Sequence, residues 1–278
     1  MRKREKTVRV IPGFGVSLGV TVAMVSLIVL IPLASLALTA AQLEPRAFFE
    51  TVTRPRVVSA FGVSVGCALL AALVNLVFGV MLAWVLTRYD FPLKRLADGL
   101  IELPLALPTA IAGITLTALT APNGWVGQMF GALGVKIAYT RAGIVVALIF
   151  VGIPFVARAV QPVLTQLEPA YEEAARLMGA GRARTFFRVV LPELTPAALT
   201  GFALAFARGL GEYGSVVFIA GNKPFSTEIA PLMIMAQLQE FDYAEATAIA
   251  LTMLIISFAL LFTMNAIQVR AARRTGGA

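Results

Sequence analysis

Four long stretches of the chain, residues 11–43, 57–87, 103–135 and 246–269, contain no Asp, Glu, Lys or Arg. Each exceeds the ~20 residues an α-helix needs to cross a ~30 Å hydrocarbon core. Residues 142–157 form a shorter apolar run of 16 residues. It reaches crossing length if the helix continues past Arg158, whose guanidinium can snorkel to the interface. Residues 195–220 are apolar except for Arg208 and Glu212. The pattern therefore predicts six membrane helices, at about 11–41, 57–87, 103–119, 142–162, 195–220 and 246–269. Together they make one all-α integral-membrane domain over 11–269, with polar tails at 1–10 and 270–278. The third helix carries Pro104 and Pro108 near its start and should be kinked or broken, with an external loop containing Trp125 after it. Gly15 with Gly19, and Gly62 with Gly66, are GxxxG pairs suited to close helix packing.

Composition agrees with this pattern. Of 278 residues, 59% are apolar and only 14% charged, whereas an ordinary soluble domain is roughly a quarter charged. A basic first segment followed by an apolar run could be a secretory leader, but this run is far longer than the ~7–15 residues of a leader's apolar region. It reads as a retained first helix. Histidine is absent, which excludes imidazole-based triads and metal sites. The single cysteine, Cys67, permits neither an intrachain disulfide nor a CxxC site.

The net charge of +8 would suit a nucleic-acid binder if the basic residues formed a patch. They form layers instead. With the N-terminus in the cytoplasm, sixteen Lys and Arg fall on that side and six on the other. This positive-inside bias places both termini in the cytoplasm and removes the case for nucleic acid.

The longest cytoplasmic connection, 161–194, is expected to fold as helix–turn–helix. Pro169 is a favoured first helical residue. Glu172 and Glu173 fall in the first turn, where acids suit the helix dipole. Gly179 can close the helix in a left-handed cap. A second stretch, about 182–190, should be stopped by Pro192. Glu173-Ala174-Ala175, then Gly179 after three residues, Val189 after nine more, and Leu191-Pro192 after one, have a specific spacing. It resembles the EAA loop of ATP-binding-cassette importer permeases, with Val189 where isoleucine is usual. A DNA-reading helix–turn–helix tethered between two spans is a poor alternative, and an amphipathic surface helix does not require this spacing.

The resemblance extends along the chain. Leu86-Thr87-Arg88-Tyr89, Leu103-Pro104-Leu105-Ala106-Leu107-Pro108-Thr109-Ala110 and Leu210-Gly211-Glu212-Tyr213-Gly214 are similar to the T-type permeases of bacterial sulfate/thiosulfate importers. So is the stretch from Gly221 to Tyr243, whose LQEFDY ending separates it from molybdate permeases. The resemblance implies a MetI-like permease fold of six transmembrane helices, and half of a translocation pathway in the bacterial inner membrane. It implies a second, W-type permease, a homodimeric cytoplasmic ATPase and an extracytoplasmic sulfate-binding protein as partners. Glu172, Glu173, Ala174, Ala175, Gly179, Leu191 and Pro192 are then the ATPase-coupling residues, and Arg208, Glu212 and Thr109 are pathway residues.

Other motifs yield to simpler readings. Gly209-Leu210-Gly211-Glu212-Tyr213-Gly214 is formally GxGxxG, but it lies in a membrane span without the βαβ context of a dinucleotide site. No GxxxxGK[ST] occurs, so ATP is expected on a partner; the chain itself is expected to be no enzyme and to hold no cofactor or metal. Arg208 and Glu212, four apart, should pair on one helix face. Either they position the span or Arg208 presents charge to a passing oxyanion. Lys223, Thr227 and Glu228 could touch a binding protein or form a solvated loop. Glu240, Asp242 and Glu245 lack the spacing of a cation loop. A molybdate or tungstate importer, or a secondary transporter, are the rival functions; the latter would have no use for an EAA-like loop.

Overall fold

The computed structural model describes residues 14–274, so the expected tail at 1–10 and the last four residues lie outside the described residues. Every regular element within that range is helical. In chain order they are α1 (Phe14–Ala41), α2 (Pro45–Val52), α3 (Pro55–Arg88), α4 (Lys94–Ala106), α5 (Thr109–Thr120) and α6 (Trp125–Ala132). Then follow α7 (Arg141–Gln166), α8 (Pro169–Leu177), α9 (Arg182–Leu210), α10 (Val216–Ile219), α11 (Ala230–Gln239) and α12 (Tyr243–Arg274). Proline opens α2, α3 and α8, where its fixed φ suits a helix and its missing N–H costs nothing.

Five helices, α1, α3, α7, α9 and α12, are long and apolar enough to cross a bilayer. The third expected span, over 103–119, is broken as its prolines require, but it begins earlier, at Lys94. It is two helices, α4 and α5, meeting at 111°. Pro108 is the cause. Its ring disfavours helical geometry in the residue before it, and Leu107 is extended at φ −83°, ψ 137°. Together the two helices are long and apolar enough for a sixth span. Arg158 bonds to Asp98 at 2.7 Å and to Glu102 at 2.8 Å, which fixes the start of α4 at one end of α7. Arg141, at the other end of α7 and about 25 Å away along its axis, donates to the carbonyls of Ser226 and Phe225.

The fifth span differs more. It was expected over 195–220, with Pro192 ending the helix before it. Instead α9 begins at Arg182 and runs through Pro192 and Pro196 to Leu210. A π-helical turn, Phe186–Val190, precedes Leu191. Such a turn already shifts the hydrogen-bond ladder, so a residue without an N–H is accommodated just after it. At its other end the helix stops early, at Leu210, and just beyond it the Glu212 carboxylate accepts the Ser215 N–H at 2.9 Å.

The core lies where α3, α7 and α9 pack along one another. The close approaches are not at the GxxxG pairs. A Cβ on Gly15, Gly19, Gly62 or Gly66 would meet nothing within 4 Å. Val156 of α7 is instead clasped between Gly79 of α3 and Gly201 of α9. A Cβ on the first would strike the Val156 side chain, and one on the second its Cα. Gly201→Leu must push α9 off α7, a misfit costing about 1–3 kcal/mol or more. Its expected result is a sharp fall in monodisperse protein extracted from membranes, read by size-exclusion chromatography at equal synthesis. Outside this core the helices expose large apolar side chains. No residue of Phe14–Val25 is buried, as lipid-facing helices require.

Candidate functional site

Two places gather the residues singled out by the sequence. The first is the hairpin formed by α8 and the start of α9. Gly179, at φ +79°, ends α8. Its N–H bonds to the Arg176 carbonyl at 2.9 Å, and the Ala180 N–H to that of Ala175 at 3.0 Å. This is a complete Schellman closure, which needs the left-handed conformation that glycine adopts at no steric cost.

The helix has two unlike faces. Tyr171, Ala174, Leu177 and Met178 point outward with Glu173; Leu177 is 90% and Met178 82% exposed. Glu172 and Ala175 face inward, and Ala175 is buried. The two alanines of the motif therefore do different things. Ala174 keeps the outer face low, whereas Ala175 lets α8 lie close on its own protein. Only Glu172 is in the first turn; Glu173 follows it. Leu191 and Pro192 lie half-buried inside α9.

The inward face meets the end of α3. Arg88 Nη2 is 2.6 Å from Glu172 Oε1. The Arg88 guanidinium also stands 5.6 Å over the Trp84 ring, and that ring packs edge-on against Phe186 at 5.2 Å. An open groove of about 1120 Å³ runs between these groups and Arg182. In the sequence Arg88 stands out only within the Leu86-Thr87-Arg88-Tyr89 resemblance, and Trp84 not at all. The available signal was their spacing of four, which puts both on one face of the helix end.

The second place is the break after α9. Glu212 is 1% exposed, and its Oε1 accepts bonds from Ser215 N at 2.9 Å and Ser215 Oγ at 3.0 Å. Arg208 Nη1 lies 2.9 Å from Glu212 Oε2, with the arginine side chain 39% exposed. The pair forms as expected, but Glu212 lies beyond the helix rather than on its face. Thr109, the first residue of α5, is brought to the same break. A Cβ on Gly214 would strike its side chain, and one on Gly113 would strike the Ser215 backbone.

The remaining polar residues have structural partners. Thr227 and Glu228 are buried; Thr227 Oγ1 accepts the Lys223 N–H at 3.0 Å, and Arg56 grips Glu228 with bonds of 2.8 and 2.7 Å. Glu245 accepts two bonds from Arg54, at 2.8 and 3.0 Å, and Asp242 caps α12 by accepting the Glu245 N–H at 2.9 Å. The GxGxxG stretch straddles the end of α9 and follows no strand, so the requirement for a phosphate-binding turn is unmet.

A bundle of long apolar helices, with one sharply bent helix pair and an exposed helical hairpin, is the architecture of an integral-membrane permease of the MetI-like fold. The profile of the binding-protein-dependent transport system inner membrane component family matches residues 75–277, and the chain belongs to that family. It is 50% identical over 269 residues to the sulfate transport system permease protein CysT of Salmonella typhimurium, covering 97% of both chains. Identity to the CysT of Synechococcus elongatus is 47% over 251 residues, covering 90% of each. Among solved structures, a chain of a bacterial ABC transporter involved in alginate import superposes with a TM-score of 0.76 at 17% identity, over 92% of this chain and 95% of that one. A chain of the MetNI methionine ABC transporter gives 0.54 at 18% identity, over 84% and 99%. These last two likenesses are of fold.

Proposed function

We propose that this chain is the permease subunit forming half of the translocation pathway of an ATP-driven sulfate importer, with thiosulfate as a second substrate. The observation that carries the substrate is the 50% identity, over nearly the full length of both chains, to a sulfate transport permease. A second, W-type permease completes the pathway, a homodimeric ATPase works from the cytoplasm, and an extracytoplasmic binding protein delivers the anion. The exposed face of Tyr171, Glu173, Ala174, Leu177 and Met178 is where the ATPase docks. It is apolar where water would otherwise meet it, and it belongs to the segment with EAA-like spacing. Arg208, Glu212 and Thr109 border the pathway, and Arg208 keeps an open face while Glu212 is sealed.

Reconstitution with those three partners tests the substrate. Labelled sulfate should accumulate with ATP, and thiosulfate should compete while molybdate does not. Uptake inhibited by molybdate at lower concentrations than by thiosulfate would transfer the assignment to the molybdate class. Orientation has its own test. Cysteines at Arg182 should react only with reagents that reach the cytoplasm, and those at Arg54 and Lys223 from outside. Outside labelling at Arg182 would overturn the inner-membrane topology with cytoplasmic termini.

A further inference from the structure

The hairpin is joined covalently to α7 and α9, and both are poorly suited to carry a push into the membrane. Proline removes a ladder hydrogen bond and softens a helix where it stands. α7 carries Pro162 just before the hairpin and Pro154 further in. α9 has the π-turn Phe186–Val190, then Pro192 and Pro196, just after it. α3 has no internal proline over 34 residues, about 51 Å of unbroken helix. Its last turn grips both halves of the hairpin, Arg88 on Glu172 of α8 and Trp84 on Phe186 of α9. The Arg88 and Glu172 side chains are only 23% and 15% exposed, so water does little to weaken their bond. At its far end α3 is fastened again, Arg56 to Glu228 and Arg54 to Glu245.

We infer that Arg88 is a positioning residue for transport: through its bond to Glu172 it makes α3, to which the hairpin has no direct chain connection, the stiff element that receives the hairpin's motion. The inference rests on the reading of α8 as the ATPase-docking helix. Arg88 touches neither anion nor nucleotide and acts only through Glu172. Its loss should therefore leave the ATPase attached and hydrolysing, with the motion dissipated in the softer helices.

The test uses the complete reconstituted transporter, at matched membrane levels of each variant. Three quantities are read: ATPase co-purification, ATP hydrolysis, and sulfate taken up per ATP hydrolysed. Arg88→Gln and Glu172→Gln should each retain the ATPase and lower uptake per ATP by at least about fivefold, the lower range of ordinary allosteric coupling. The exchanged pair, Arg88→Glu with Glu172→Arg, should recover most of that ratio, and Arg88→Lys should keep it. If a glutamine variant accumulates too poorly to assay, the exchanged pair decides alone. Unchanged uptake per ATP in Arg88→Gln, or no recovery in the exchanged pair, overturns the inference. Leu177→Asp on the outer face distinguishes the underlying reading. If it fails to detach the ATPase, the docking assignment itself is wrong; if it detaches the ATPase while Arg88→Gln transports normally per ATP, only the role of Arg88 falls.

Discussion

Arg208→Ala is expected to abolish most sulfate uptake and to lower the amount of assembled protein. Glu212 is 1% exposed, and after the substitution its Oε2 faces no cation, while Oε1 keeps its two bonds from Ser215. Breaking a buried pair by removing one partner costs about 3–5 kcal/mol. The lower end applies here, because Arg208 is partly exposed and gives up less in the native pair. The double variant Arg208→Ala with Glu212→Gln separates the two uses of the arginine. Glutamine keeps an acceptor oxygen for Ser215 without a charge in need of a partner. If the double variant assembles and transports, the pair serves the break alone. If it assembles at wild-type levels and remains inactive, Arg208 acts on the anion through its open face. Membrane levels by quantitative blotting, with initial uptake rates, give both answers in one preparation.

Gly179→Val gives the second large effect, and it should appear in coupling rather than in assembly. A Cβ at this position would meet nothing within 4 Å, so the substitution has room. The cost lies in the backbone, since φ is +79° and a β-branched residue in that region is disfavoured by about 1–2 kcal/mol or more. Relief requires opening the bonds to the Arg176 and Ala175 carbonyls, which re-aims α8 against its partner. The spans packed around Val156 lie elsewhere and are untouched. Co-purified ATPase should fall by about tenfold, the equivalent of 1.4 kcal/mol, at unchanged membrane levels of the permease. Full binding together with full substrate-stimulated hydrolysis in this variant would remove the hairpin as the coupling element.

The parts legible in the sequence are those decided by solvent. Charge-free runs mark helices because lipid tolerates no unsatisfied backbone, and α3 and α7 are found where the runs placed them, with ends shifted by a few residues. The closure at Gly179 was legible for a local reason, since only a few residue types accept its conformation. The two prolines show where local rules run out. Pro108 ended one helix and redirected the chain by 111°, whereas Pro192 passed within a continuous helix behind a π-turn. Which outcome follows depends on whether the neighbouring ladder can shift, and that is settled by packing around the segment. The early end of α9 was hidden for the same kind of reason, because the residues after Leu210 remain apolar apart from Glu212, which bonds forward to the Ser215 N–H. The hold of Arg88 on Glu172 joins residues 84 positions apart, and a pairing over that separation leaves no local pattern in the sequence.

The glycine notch around Val156 has a mechanical consequence. Gly79 brings no side chain to that contact, and α3 rests directly on the Val156 side chain, so the crossing can act as a fulcrum for that helix. Gly79 stands nine residues from Arg88 and twenty-three from Arg56, arms of about 14 Å and about 35 Å. A rigid swing about the notch turns about 1 Å of travel at the hairpin into about 2.5 Å at the opposite surface, where Arg56 holds Glu228. The helix is geared: the short arm ends at the hairpin, and the long arm magnifies its travel at the opposite surface.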